Sequence, residues 1–258
     1  MSRLHAILVG VNSYRDSSIP ALRFARPDAQ VLATLLGNSN LGIDTTVELL
    51  LDADATRASV MDLVGVDVPP RVSPDDTVLF YFAGHGSPEL LPNLRVVSRF
   101  LICSDTTRGS LLSSAIDIEA DLARLAARLP ARLVLFIIDA CFSGYGGGRG
   151  IAGPNLEEQR RLRRPAPQLA DLALGSGVIY LAACGDDEVA GEDPILGHGV
   201  FTYHLLEQLG APGQSGTIGL PTLYDLVFTQ VHSYSSGRQN PVLWGNVKGA
   251  RLPRLAQS

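Results

Sequence analysis

The chain has 258 residues, 46% of them hydrophobic, and a formal net charge of −5. That is enough to bury one sizeable core in a single large α/β domain, and the wrong sign for a general nucleic-acid binder, which carries a basic excess. Three cysteines with no C-x-x-C pair argue against a disulfide framework, structural zinc or a thioredoxin-like motif, and point to a reducing compartment.

No apolar stretch approaches the ~18 residues of a spanning helix, and the opening "MSRLHAILVGVN" is too short and too soon polar for a signal peptide. A cytoplasmic protein with no membrane partner is therefore expected. The basic residues are lopsided, since Lys248 is the only lysine among 21 Lys and Arg.

Leu4 to Val11 is an apolar run closed by Asn12 and predicts a buried parallel strand. A helix is expected from about Pro27 to Leu36, with proline near its first turn and Gly37 past its end. "TTVELLLD" predicts a second strand and "ATRASVMDLVG" a second helix, and "DDTVLFYFAGHGS" is a third strand that runs into a glycine-bracketed histidine, His85. After a loop come "RFLIC", a helix over about Ile118–Leu129, and a strand over about Leu133–Ile138 that delivers Cys141. Residues 142 to about 174 show no periodicity, which in a compact domain marks a functional or mobile stretch more often than an incidental one. "GVIYLAAC" resumes the sheet, "GVFTYHLLEQL" and "TLYDLVFTQV" read as helices, and "NPVLWG" as a last short strand or turn. Strands alternating with helices predict a three-layer α/β sandwich with a mainly parallel sheet, and such sheets bind ligands at the carboxyl ends of their strands.

His85 and Cys141 both follow apolar strands and so share that edge. A cysteine nucleophile needs a thiolate, or a base close enough to make one, and a carbonyl substrate needs donors where its oxygen becomes negative. Taken singly, a strand-end cysteine is usually a small buried hydrophobe and a lone histidine a surface or core residue. As a pair, 56 positions apart and each flanked by glycine or a small residue, they form a candidate nucleophile and base. Gly84 and Gly86 would let a substrate backbone approach, leaving the Gly86 N–H for an oxyanion.

"YFAGHGS" and "DACFSG" resemble the two signature segments of the caspase and metacaspase cysteine peptidases, and "HAILVGVNSYRD" with "LRFARPDAQVLATLL" resembles their first strand and helix. The likeness runs from about Leu4 to Leu209 and on to "QNPVLWG". Asp139 stands where animal caspases have glutamine, a variant that resembles metacaspases and bacterial caspase-like proteins; Ala83 and Ala25 stand where metacaspases usually have serine and often cysteine. The resemblance implies one peptidase domain over 1–258, with a large part to about 145, a linker loop over about 146–174 and a smaller part from about 175.

It further implies a zymogen-type endopeptidase with Cys141 as nucleophile, His85 as acid and base, and the N–H groups of Gly86 and Cys141 as oxyanion donors. Asp28 and Asp139 would hold a substrate arginine, with lysine second, since paired carboxylates grip a guanidinium bidentately; Asp28 alone also reads as a first-turn helix carboxylate. The partner is then a protein or peptide with a basic residue before the cut. A regulatory protein partner and a role as a bacterial signalling or defence effector are compatible with it. No metal is required for the chemistry.

The family's linker is often cut, so "LEEQRRLRRPAPQ" suggests self-processing at Arg160, Arg161 or Arg163, or else a solvated basic patch; Arg164 is disfavoured because Pro165 follows. "GDDEVAGED" carries Asp186, Asp187, Glu188, Glu192 and Asp193, which would attract a basic substrate or bind calcium as an activator, or simply form a solvated acidic loop, the reading preferred here. Cys103 and Cys184 are expected to be buried and inert, His198 a loop residue and His204 a helix residue. "GYGGGRG" lacks the lysine and hydroxyl of a phosphate loop. Two other classes stand beside the peptidase: a catalytically silent interaction module of the same fold, and a nucleic-acid binder acting through the basic loop.

Overall fold

Each long apolar run becomes a strand of one central sheet. The structure, a computed structural model, describes residues 2–37, 42–91, 96–142, 148–151, 177–186, 188–211, 216–245 and 248–254. Its strands are β1 (Arg3–Gly10), β2 (Asp44–Leu51), β3 (Thr77–Ala83), β4 (Gly86–Leu91), β5 (Val96–Leu101), β6 (Ile116–Asp117), β7 (Leu133–Asp139), β8 (Val178–Ala182), β9 (Glu192–Asp193), β10 (His198–Gly199), β11 (Gly216–Gly219), β12 (Val242–Gly245) and β13 (Arg251–Arg254). The helices are α1 (Ala25–Leu36), α2 (Arg57–Asp62), α3 (Leu111–Ser114), α4 (Ala123–Ala126), α5 (Val200–Leu209) and α6 (Leu220–Tyr234).

The six-stranded sheet has the order β12-β8-β7-β3-β1-β2, parallel throughout except for the antiparallel edge strand β12. Alternate side chains divide into two cores, as a sheet buried on both faces requires. Leu4, Ala6, Leu8, Leu79, Tyr81, Leu135 and Leu181 pack against α1, α5 and α6. On the other face Ile7, Val9, Phe80, Phe136 and Tyr180 meet Val60 of α2 and Leu125 of α4. There Phe80, Phe136, Tyr180 and Trp244 sit directly opposite one another on adjacent strands, with successive ring centroids 5.7, 4.8 and 5.6 Å apart. The three-layer α/β expectation holds.

The helix expected over Ile118–Leu129 forms as a π-helical turn at Ile118–Leu122 followed by α4, started by the Asp117 carboxylate accepting the Ala120 N–H at 2.8 Å. β4 was not expected. It contains Gly86 and Pro88, both poor strand formers, and is imposed by antiparallel pairing with β5, which β6 extends into a three-stranded sheet. Among the described residues no helix is long and apolar enough to cross a membrane.

α1 carries one wall of the site. Gly10 lets the helix lie hard against β1, since a Cβ there would stand 2.7 Å from the Ala25 carbonyl oxygen and 2.8 Å from the Ala29 Cβ. The orphan N–H groups at its start find side-chain acceptors: Glu192 accepts from Arg23 and Phe24 at 3.0 and 2.9 Å, and Asn12 from Arg26 at 2.9 Å.

Candidate active site

β3 and β7 are parallel neighbours whose last residues, Ala83 and Asp139, face each other. Two residues beyond each end stand His85 and Cys141, so equal overhangs from paired strands bring the two residues to the same edge of the sheet. The imidazole Nε2 lies 2.8 Å from the Pro20 carbonyl oxygen. A carbonyl only accepts, so Nε2 carries the proton and Nδ1 presents its lone pair; Nδ1 is buried without a hydrogen-bond partner among the described residues. The His85 backbone N–H donates to the Tyr14 hydroxyl at 2.9 Å, and that hydroxyl donates to the Val11 carbonyl at 3.1 Å. Burial lowers the His85 pKa, partly offset by the carbonyls of Pro20 and Arg149. The ring is therefore neutral near pH 7 and able to accept a proton.

Cys141 is fully buried and its thiol donates to the Glu188 carbonyl at 2.9 Å. Cys184 reaches the same carbonyl at 3.6 Å. The Cys141 thiol beside it, together with burial, holds the Cys184 thiol well above its ordinary pKa, so it stays protonated and a poor nucleophile.

Beside the thiol is a pocket of carboxylates, and a guanidinium fills it. Arg149, with no exposed surface, donates through Nη1 to Asp139 at 2.7 Å and through Nη2 to Asp28, with Glu192 at 3.4 Å from Nη2. The carboxylates are themselves held. Thr202 donates its hydroxyl to Asp139 at 2.6 Å and accepts from the Tyr81 hydroxyl at 2.7 Å. Asp28 accepts from the Gly199 N–H at 3.0 Å, and its other oxygen lies 2.6 Å from His198 Nδ1. Burial pushes the Asp139 carboxyl up, against the lowering pull of Arg149, to about 6.

The main chain of the same segment is tied down as well. The Arg149 carbonyl oxygen accepts from the N–H groups of Gly86 at 2.8 Å and Cys141 at 3.2 Å, and the Arg149 N–H donates to the Ala190 carbonyl at 3.0 Å. Ile151 donates to the Gly86 carbonyl at 2.9 Å, forming a short parallel bridge between Gly86 and Gly150.

His85 and Cys141 thus stand at one sheet edge beside an acidic pocket. A family model, described as the caspase domain, matches residues 3–249. The chain belongs to the caspase domain family. Two solved structures share the fold: protein GSU0716 from Geobacter sulfurreducens, 18% identical, TM-score 0.65, with 94% of this chain and 92% of that one covered; and caspase-1 from Spodoptera frugiperda, 16% identical, TM-score 0.52, with 95% and 86% covered. No curated protein matches the chain.

In this caspase domain His85 and Cys141 follow neighbouring strand ends, the Gly86 and Cys141 N–H groups meet at the Arg149 carbonyl, and Asp28 and Asp139 meet at the Arg149 guanidinium. Asp28 is a first-turn helix carboxylate that also pairs with the Arg149 guanidinium. Arg160, Arg161, Arg163 and Asp187 lie outside the described residues. The preferred reading of a solvated acidic loop is corrected: its described carboxylates are engaged by the protein itself. Asp186 forks onto buried Arg99 at 2.8 and 2.7 Å, Glu188 accepts from the Asn240 backbone and side chain at 2.6 Å each, Glu192 joins the pocket, and Asp193 accepts from Tyr234 at 2.6 Å. His204 is a buried helix residue 2.8 Å from Glu207. Sequence reasoning missed Arg149, Gly199, Thr202, Tyr81, Tyr14, Pro20 and the part played by His198. Only Arg149 carried a signal, an arginine bracketed by glycines eight positions after the candidate nucleophile.

Proposed function

We propose that the chain is a cysteine endopeptidase that cuts peptide bonds after arginine, with lysine second. The observation that carries this reading is the seating of Arg149, whose guanidinium lies between Asp28 and Asp139 while its carbonyl accepts from Gly86 and Cys141. A substrate arginine in that position has its carbonyl beside the thiol and polarised by two donors. Lysine offers a single point charge that cannot fork across two carboxylates.

In this mechanism the His85 Nδ1 takes the Cys141 thiol proton, and the thiolate attacks the substrate carbonyl carbon. Negative charge on the oxygen is met by the Gly86 and Cys141 N–H groups, a contribution of about 10²–10³ in rate for each donor in comparable sites. His85 then gives its proton to the departing amine, leaving a thioester that water hydrolyses with the imidazole again as base. The Pro20 carbonyl fixes the ring orientation and steadies the transient imidazolium, the part a carboxylate plays in a serine triad.

The test is hydrolysis of fluorogenic peptides ending in Arg, Lys or Asp, with and without calcium, by wild type and Cys141→Ala. Cleavage after Arg that vanishes in the variant is the expected result, whereas equal turnover in both chains, or cleavage after Asp alone, would sink the reading. A second reading, the silent interaction module, is favoured by the complete burial of Cys141 and Arg149, which leaves an outside substrate no access in this arrangement. Labelling of Cys141 by an arginyl acyloxymethylketone separates the two.

A further inference from the structure

We infer that Cys184 is the resolving thiol of Cys141: a peroxide oxidises Cys141, and Cys184 closes a reversible disulfide onto it. The juxtaposition of the two thiols is independent of the peptidase reading above, whereas the order of the steps and the loss of hydrolysis rest on it.

The fold brings the two sulfurs together from adjacent strands. Cys141 lies two residues past the end of β7 and Cys184 two past the end of β8, and these strands pair in parallel up to Ile138 opposite Ala182. The pairing continues beyond β8, where the Ala183 N–H donates to the Ile138 carbonyl at 2.9 Å. Cys184 therefore leaves the sheet alongside the segment that carries Cys141. Paired strands lie about 4.8 Å apart, inside the Cα separation of about 4.4–6.8 Å that a disulfide spans.

The side chains converge as the backbones do. The Glu188 carbonyl accepts from the Cys141 thiol at 2.9 Å and from the Cys184 thiol at 3.6 Å, so the two sulfurs share one oxygen. Cys184 also reaches the carbonyl of Ala140, the residue before Cys141, at 3.8 Å. The Cys141 thiol is the first cause of the raised Cys184 pKa, ahead of burial, as expected of two thiols in hydrogen-bond contact. Cys103, the remaining cysteine, is no competitor. It packs on the other face of the sheet with Phe80 and Phe136, while Cys141 and Cys184 share the face of Leu135 and Leu181.

Hydrogen peroxide is the oxidant class this pair would take, and the thiolate is the form that reduces it. In the proposed reaction His85 makes that thiolate at Cys141, so the same activation makes Cys141 the sensitive thiol. Its sulfur attacks one peroxide oxygen, the O–O bond breaks, and the other oxygen leaves as water, which oxidises the sulfur to a sulfenic acid. The Cys184 sulfur then bonds to the Cys141 sulfur, the S–OH bond breaks, and the hydroxyl departs with the Cys184 proton as a second water. Two thiols and one peroxide thus give one disulfide and two waters. A thiol already beside the reacting sulfur acts at a very high effective concentration, which offsets its raised pKa, and the first step consumes the Cys141 thiol that holds that pKa up. The disulfide withdraws the nucleophile until a dithiol reduces it, and it forestalls the sulfinic acid, which does not revert.

Wild type, Cys103→Ala, Cys184→Ala and Cys184→Ser, checked for folding by circular dichroism, would be treated with hydrogen peroxide. Intact mass, peptide mapping and hydrolysis of an arginyl peptide would be followed before and after dithiothreitol. In wild type and Cys103→Ala the expected result is a loss of two hydrogen atoms, a linked peptide pair joining Cys141 to Cys184, and hydrolysis that disappears and returns with dithiothreitol. In the Cys184 variants Cys141 should instead gain two oxygen atoms that dithiothreitol does not remove, and hydrolysis should stay lost. A wild type that gains oxygen at Cys141, links through Cys103, or keeps its thiols in excess peroxide overturns the inference without touching the peptidase reading. A Cys141–Cys184 link in a chain whose reduced form hydrolyses no arginyl peptide upholds the thiol pair and overturns the peptidase reading.

Discussion

Gly199 forms the floor beneath the Arg149 guanidinium: a Cβ there would stand 2.7 Å from Nη2 and 2.9 Å from the Asp139 carboxylate. Its N–H meanwhile donates to Asp28, so the position is held on both sides and has no room to give. Gly199→Ala should therefore obstruct the pocket while leaving His85 and Cys141 in place. An overpacking cost of about 3 kcal/mol corresponds to a drop of about 100-fold in kcat/KM for an arginyl peptide. Steady-state kinetics would check it, and unchanged kinetics would mean that arginine does not bind against Gly199.

Asp139 links the pocket to pH. Its carboxyl is raised from the ordinary 3.8 to about 6, so folding favours its protonated form. Its stabilising contribution is full below the ordinary value and is lost as pH rises through about 6. Under the proposed function arginine binding has the opposite sign, because it would need the carboxylate. KM for an arginyl peptide should climb by up to about tenfold per unit as pH falls below about 6, and the limb lies higher still in an emptied pocket that lacks the guanidinium holding this pKa down. His85, lowered by burial, protonates below its ordinary value, so kcat should fall only below that value. KM–pH profiles of wild type and Asp139→Asn test this; a limb that persists in the variant would assign it elsewhere.

Arg149→Gln removes the cation from among Asp28, Asp139 and Glu192 and leaves buried carboxylates without a counter-ion, a loss of about 3–5 kcal/mol. A small guanidinium compound such as agmatine should return part of it. At 100 times its Kd such a ligand adds about 2.7 kcal/mol, roughly 5–10 °C in Tm for a domain of this size. Cys141→Ala, which lacks the nucleophile and keeps Arg149 in the pocket, should show no shift. Thermal unfolding with and without agmatine checks the pair, and equal shifts in both chains would count against a filled pocket.

Asp186 supports the site from behind. Arg99, almost fully buried, is gripped by Asp186 and Glu119, which pins the start of the loop that carries Glu188 and Ala190. Asp186→Ala should destabilise by about 3 kcal/mol, read as a lower urea midpoint, and should slow peptide hydrolysis by loosening the Ala190 carbonyl that aligns the substrate strand.

The strands, and the placing of His85 and Cys141 at one sheet edge, were legible because both depend on short-range pattern. An apolar run of sheet length ending at a reactive residue puts that residue at the edge, and Asp139 precedes Cys141 by two positions on the same strand. Gly199, Thr202 and His198 were not legible, since their importance comes from α5 and β10 folding back over β7 some sixty positions later in the chain. Pro20 acts through its carbonyl, which no side-chain motif encodes. Arg149 lay in an aperiodic glycine-rich stretch, where neither helix nor strand periodicity could assign it a partner. The acidic loop misled because local composition cannot reveal that Arg99, Asn240 and Tyr234 arrive from distant segments to meet its charges.

The pairing of β7 with β8, in register from Val134 opposite Val178 to Ile138 opposite Ala182, means that the sheet does not depend on the peptide link between them for its coherence. The two sides of that seam also share one apolar layer, where Leu135 and Ile137 meet Leu181, Phe201 and Leu205. Residues 1–149 and 150–258 are in this sense complementary halves of a single fold. Expressed apart, each would expose an unpaired strand edge and half a core and would tend to aggregate; expressed together, they should assemble into one noncovalent particle.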